Sequence, residues 1–291
     1  MPKRKSKYLY ERISPRNAAI FIIIATLLIS GGAAFAYFGI RAFYRARALD
    51  PKYHILSILQ EGKGEARLET DALAEILELS QDHPTNIYLF DQEQAKKKLL
   101  NYPVISFAEV RRVKPSTISI NYNTREPIAF LPEFENTAID QSGVYFPYRP
   151  FFEPKKLPEI YLGNERAESG LEILDWITKN CCDETLKLCL IDISCATSTV
   201  LGKREIVVCF EERFDKLDAH RHFTYTAPRY LRLPAKEWKK ALQRFLKLRP
   251  YLFEHQVFSE IDPLQAVICC PPILVDLRLK SSAIFQTVES I

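Results

Sequence analysis

The feature that most constrains this chain is a stretch of 23 residues, Ala18 to Ile40, without one charged side chain. At the α-helical rise it reaches about 34 Å, enough for a hydrocarbon core of roughly 30 Å, and a helix satisfies its own backbone polar groups there. Later apolar runs, such as Ile105 to Val110 or Ile206 to Phe210, are broken by charge or proline too soon for a second crossing. Lys3, Arg4, Lys5, Lys7, Arg12 and Arg16 precede the stretch, while Arg41, Arg45, Arg47 and Lys52 follow it. That bias predicts a cytoplasmic N-terminus and an exported remainder. Ala34-Phe35-Ala36 has the small-x-small form of a cleavage site. The apolar stretch is nevertheless longer than the 7–15 residues of a signal-peptide core and continues through Tyr37, Phe38 and Ile40, so the expectation is a retained anchor.

Beyond the span the chain has globular composition. The formal charge of +4 is concentrated near the membrane, and from Asp50 onward acids and bases nearly balance, which argues against a nucleic-acid surface. All seven cysteines, Cys181, Cys182, Cys189, Cys195, Cys209, Cys269 and Cys270, lie in this part. A metal site of Cys181, Cys182 and Cys189 with His220 or His222 would lack the C-x2-C spacing of zinc modules, and no C-x-x-C redox motif occurs. The expectation is small buried hydrophobes with one or two bridges. Catalytic motifs of the G-x-S-x-G, G-x-x-x-x-G-K-[ST] and H-E-x-x-H types are absent, and pairing of Cys209 with His220 or His222 rests on spacing alone. No enzyme activity, cofactor, metal or small-molecule substrate is expected.

Hydrophobic periodicity orders the exported chain. Ile55 to Leu59 predicts a strand closed by Glu61-Gly62-Lys63-Gly64. Leu73, Ile76 and Leu77 predict a helix capped by Thr70 or Asp71 and broken at His83-Pro84; Asp91 with Gln94 opens a second, carrying Ala95 and Leu99. Strands follow over Ser106 to Val113 and Thr117 to Asn123, turning at Lys114-Pro115-Ser116. After Arg125-Glu126-Pro127, short strands come at Ile128 to Leu131, Thr137 to Asp140 and Val144 to Phe146. A helix starts at Ser169 with Glu172 and another after Pro234. Further strands are predicted at Leu186 to Ile193, Arg204 to Phe210, Leu264 to Cys270 and Ile273 to Leu279.

Several segments resemble the FtsQ/DivIB family of bacterial cell-division proteins. Tyr102 to Arg112 is similar to "P-W-V-x-x-A-x-V-x-R". Pro115 to Ile120 with Arg125-Glu126-Pro127-Ile128-Ala129 resembles "P-x-x-L-x-I-x-V-x-E-R-x-P-x-A". Ile139 to Phe146, Leu157-Pro158-Glu159-Ile160 with Gly163, and Val275-Asp276-Leu277-Arg278 resemble later family segments in family order. Val104 replaces the family tryptophan, Arg125-Glu126 inverts its Glu-Arg, and Leu279 replaces its final tyrosine.

The resemblance implies an α+β protein: a single N-terminal transmembrane helix, a POTRA-like βααββ domain, then a mainly antiparallel β-domain with flanking helices. The implied segments are a basic tail 1–17, span 18–40, linker 41–52, POTRA-like domain 53–126, β-domain 127–285 and tail 286–291. It further implies a non-enzymatic division scaffold in the inner membrane at the septum. Its partner would be a small single-span protein of the FtsB or DivIC type, itself zipped to FtsL, bound by strand addition at the last strand. By position the contacts are Arg278, Leu279, Ser281, Ser282, Ala283, Ile284 and Phe285. A POTRA-type transport or chaperone module is the alternative, with a thiol-dependent anchored enzyme as a third reading.

Overall fold

The structure, a computed structural model, describes residues 15–80, 82–200, 202–218, 221–254, 256, 267–280 and 282–287. Helix α1, Pro15–Leu49, runs unbroken through the uncharged stretch and on past Arg41. Among the described residues it is the one helix long and apolar enough to cross a membrane. Its two aliphatic hydroxyls are satisfied within the helix: Thr26 donates to the Ile22 carbonyl at 2.8 Å and Ser30 to that of Leu27 at 3.2 Å.

After α1 the βααββ order predicted from the sequence is present: β1 (Ser57–Lys63), α2 (Thr70–Ile76), α3 (Gln92–Leu100), β2 (Ile105–Val113) and β3 (Thr117–Thr124). The strands form a sheet of order β1-β3-β2. Alternation in β3 buries Ile118, Ile120 and Tyr122, and the period of α3 buries Ala95 and Leu99. Asp91 caps α3 through Oδ1, which accepts from the backbone of Glu93 and Gln94 at 2.9 and 3.1 Å.

Two boundaries differ from expectation. β1 passes through Gly62 rather than ending there; a Cβ at that position would meet the Tyr122 ring at 2.7 Å, so glycine makes room for the tyrosine. His54, before the strand, makes an isolated bridge to Asn86. α2 stops well short of His83-Pro84. Leu79 N–H bonds the Ala74 carbonyl, Glu78 N–H bonds that of Glu75, and Glu78 takes φ 56°. This is a Schellman stop made without the usual glycine, which hides it from sequence reading.

The described residues divide into two compact units. One holds the chain up to Glu61 with Thr70–Lys97 and Glu109–Ile120; the other holds Gly62–Glu69, Lys98–Ala108 and the chain from Asn121 on. The second unit is built on a ten-stranded sheet. Its strands are β4 (Ala129–Phe130), β5 (Thr137–Ile139), β6 (Tyr145–Pro147), β7 (Glu159–Tyr161), β8 (Leu186–Asp192), β9 (Ile206–Asp218), β10 (Arg221–Leu233), β11 (Val267–Cys269), β12 (Ile273–Asp276) and β13 (Ile284–Thr287). Of the predicted Leu264 to Cys270 strand, positions 264–266 lie outside the described residues. The order is β13-β12-β10-β9-β8-β7-β4-β5-β6, with β11 also on β10. The long β9–β10 ladder is antiparallel. β10 pairs in parallel with β11 and β12, and β7 in parallel with β4 and β8, so the sheet is mixed.

Helices α4 (Ala167–Asn180) and α5 (Trp238–Glu254) supply Ile173, Ile177, Leu242 and Phe245 to a core with Val208, Phe210, Leu231 and Val275 of the sheet. Phe210 and Phe245 stack with centroids 5.7 Å apart. α4 begins before Ser169, at an Arg166 cap that makes no side-chain bond.

The β9–β10 hairpin is much longer than the predicted Arg204 to Phe210 strand. The acidic pair after Phe210 reads as a strand end, yet Glu212 is buried: its carboxylate accepts from Arg229 Nε at 2.8 Å and Arg249 Nε at 2.9 Å. Arg229 is 0% exposed and also donates to Gln256. Arg249 reaches on to Asp183 at 3.1 Å and to the Thr185 hydroxyl at 2.9 Å. Replacing Glu212 by alanine would leave buried guanidinium charge uncompensated. Glu212→Ala is expected to destabilise this unit by about 3–5 kcal/mol. Urea unfolding followed by the fluorescence of Trp176 and Trp238, which meet edge-on at 5.5 Å in this core, measures it.

Candidate partner interface at the sheet edge

β13 ends the sheet. It pairs antiparallel with β12 alone, Ile273 opposite Thr287 through Asp276 opposite Ile284, and all four of its residues are exposed. Its outer side presents backbone donors and acceptors without a neighbouring strand among the described residues. Phe285 lies opposite Val275 and rests against Tyr251 of α5, ring centroids 5.9 Å apart. Ile284, 57% exposed, and Leu279, 56% exposed, help line a cleft of about 700 Å³ with Arg204, Lys236 and Pro234.

The residues carried over from the family resemblance do not all have the same place. Ser282 is exposed, Ala283 is half-buried against the core, and Ser281 lies outside the described residues. The Arg278 side chain, 27% exposed, borders the same cleft and is engaged in ion pairs. Its Nε and Nη2 hold Asp276 at 3.0 and 2.6 Å, and Nη1 donates to the Gly202 carbonyl at 2.7 Å and lies 3.2 Å from Glu205. Glu205 also receives both arms of Arg232 at 2.6 and 2.9 Å. Burial alone would push the Asp276 carboxyl up, but the Arg278 hydrogen bonds outweigh it and hold the carboxyl below its usual range. The bond to Asp276 raises Arg278 in turn.

Sequence reasoning missed the residue that shapes the turn into β13. Arg244 of α5 donates to the carbonyls of Leu277, Leu279 and Lys280 at 2.7, 2.7 and 2.6 Å. Nothing in the α5 pattern separates it from its solvated basic neighbours, because its acceptors are main-chain atoms far along the chain. Glu205 is likewise hidden, as one polar residue at the start of the predicted Arg204 to Phe210 strand.

Cys181, Cys182, Cys189, Cys195 and Cys209 keep free thiols, so no bridge forms among these five. Burial pushes Cys181 up to about 11 and Cys209 up to about 12, and raises Cys182 and Cys189 too. These four are protonated at neutral pH, the opposite of what a thiol nucleophile needs. Among the described residues no three His, Cys, Asp or Glu side chains gather as a metal site, and His220 and the His222 side chain lie outside them. A cavity of about 950 Å³, lined by Leu157, Leu171, Leu174 and Cys182 among others, shares no residue with β13 and has no histidine in its lining.

Against this geometry, the family model for the POTRA domain, FtsQ-type, matches residues 63–121. The match covers α2, α3, β2 and most of β3, and stops before the ten-stranded sheet. The chain therefore carries an FtsQ-type POTRA domain, in agreement with its resemblance to the FtsQ/DivIB proteins. Among the described residues one helix, N-terminal to this domain in the chain, is long and apolar enough to cross a membrane. No curated protein matches the chain.

Asp276 shares its depressed carboxyl with Asp183, where burial pulls upward but bonds from Thr185 and Arg249 overcome it and hold the group at about 2. Both folded values lie below the ordinary 3.8. A depressed carboxyl contributes stability at neutral pH and loses it as pH falls from near 4 toward about 2. Urea midpoints measured across that range are expected to drop steeply in the wild-type chain. Asp276→Asn should be less stable at pH 7 and show a flatter acid limb; an unchanged limb would contradict the assignment.

Proposed function

We propose that the chain is a non-enzymatic, membrane-anchored scaffold of the bacterial division machinery, with its N-terminus in the cytoplasm and its β-domain exported. The basic tail 1–17, span 18–40 and linker 41–52 lead in this reading to a POTRA domain at 53–126, a β-domain at 127–285 and a short tail at 286–291. β13 takes an extended segment of a small single-span partner, of the FtsB or DivIC type zipped to FtsL, as an additional strand. The observation that carries the proposal is the uncharged edge of β13, unpaired on its outer side among the described residues, where main-chain groups would supply affinity and alternate side chains register. Arg278, Leu279 and Ile284 border one cleft beside β13, and Phe285 lies on the strand itself, so these four are the leading side-chain contacts. The FtsQ type of the POTRA match favours division over the export-module alternative. The raised cysteines weigh against the thiol-enzyme reading.

Two experiments test this. A fluorescent fusion of the whole chain is expected to collect at midcell, and a uniform envelope signal in dividing cells would argue strongly against it. Ile284→Glu and Leu279→Glu, both at exposed positions, should fold normally and reduce partner capture about 10-fold, equivalent to ~1.4 kcal/mol. Unchanged capture by both folded variants would remove β13 from the interface.

A further inference from the structure

The exported end of α1 is not a free linker. The Asn86 side chain, 4% exposed, donates to the carbonyls of Arg47 and Asp50 at 3.0 and 3.3 Å and accepts from Tyr88 N–H at 2.9 Å. Arg47 donates to the Tyr88 hydroxyl at 2.7 Å, and its guanidinium lies over the rings of Phe43, Tyr53 and Tyr88. One buried amide thus satisfies carbonyls at the helix end that would otherwise need water. α1 and the 85–90 segment are locked into one body.

That lock fixes the height of this end of the POTRA domain above the membrane that α1 would cross. From Ile40 to Leu49 the helix rises about 13 Å, and the headgroup layer occupies about 5–7 Å of that. The remaining gap is about the reach of an extended lysine. The surface at this level is set by topology. The start of β1 meets the β2–β3 turn, with Leu56 N–H on the Ser116 carbonyl at 2.8 Å and the Ser57 and Thr117 hydroxyls 2.7 Å apart.

Segments 41–56 and 112–116 together carry six lysines and arginines against one acid, Asp50. Arg45, Lys52, Arg112 and Lys114 are exposed, and no carboxylate pairs with them among the described residues. Between them Leu56 is 79% and Leu89 68% exposed, apolar side chains that water does not favour. A cationic rim with apolar tips, continuous with a membrane helix, complements an anionic bilayer surface.

We propose that this end of the POTRA domain docks on anionic phospholipid headgroups of the same bilayer, Lys52 and Lys114 on the phosphates and Leu56 and Leu89 toward the interface. The inference rests on reading α1 as a membrane span. It gives the domain a lipid contact independent of the protein contact proposed at β13.

The test uses the whole chain in vesicles, with a benzophenone amino acid at Leu56, at Leu89, or at Leu28 within the span. One set contains phosphatidylglycerol with phosphatidylethanolamine, the other phosphatidylcholine alone. Lipid adducts are expected at Leu28 in both sets, and at Leu56 and Leu89 in the anionic set. Lys52→Glu with Lys114→Glu, both exposed, should lower the Leu56 and Leu89 adducts about 5-fold per cation while leaving Leu28 unchanged. Adducts at Leu28 without adducts at Leu56 and Leu89, or equal yields in the two lipid sets, would overturn the proposal. Loss of adducts at Leu28 as well would show that the spanning reading had failed and the inference with it.

Discussion

The sheet of the second unit depends on one carboxylate. Glu212 stands between two guanidinium groups, Arg229 from β10 and Arg249 from α5, in a place closed to solvent. Removing a charge from water costs several kcal/mol unless its partners remain fixed, so the pairing constrains where α5 can lie on the hairpin. Arg249 extends the constraint to the Asp183–Thr185 loop before β8. With α5 fixed, Arg244 on the same helix is placed to hold the carbonyls of the turn from β12 to β13. The position of the exposed edge thus follows, through one helix, from a buried ion pair.

A second ionic cluster lies nearer that edge and has the opposite character. Glu205, Arg232, Asp276 and Arg278 are partly exposed and share their bonds, so each pair is worth less than its geometry suggests. The cluster orients β12 and engages the polar side chain that the family resemblance offered as a contact. The two ends of the sheet also differ. β6 is three residues long and includes Pro147, a blunted edge, whereas Ile284-Phe285-Gln286-Thr287 leaves the other edge uncharged.

Much of the POTRA unit was legible in the sequence because its signals are local. Alternation in Thr117 to Asn123, the Asp91 cap and the spacing of Ala95 and Leu99 each act within a few residues. Misreadings arose where a distant partner overrode the local signal. Gly62 looked like a turn because Tyr122 lies far along the chain, and Glu211-Glu212 looked like a strand end because both arginines were still to come. The candidate site was legible as a position and not as a set of roles. Family order pointed to the last strand, but the bond of Arg278 to the Gly202 carbonyl and the hold of Arg244 on the turn follow from main-chain acceptors that no periodicity records.

The prolines of the sheet have a consequence for how it moves. β11 and β12 both follow β10, Cys269 opposite Thr226 and Ile273 opposite Arg229, so the ladder gains a residue between them. That level holds Pro228 on β10 and Pro271 and Pro272 on the other side, three residues with no N–H to give. The main-chain ladder of β12 to the sheet therefore runs over Arg229 to Arg232, with a break in register on its β11 side, while Ile273, Val275 and Leu277 hold it to the core. In amide hydrogen exchange the exposed β13 is expected to open at lower free energy than β12, whose Ile273 and Val275, with Leu277 just after, belong to the core. A sheet edge that breathes separately can be reshaped by what binds it without disturbing the core that holds it.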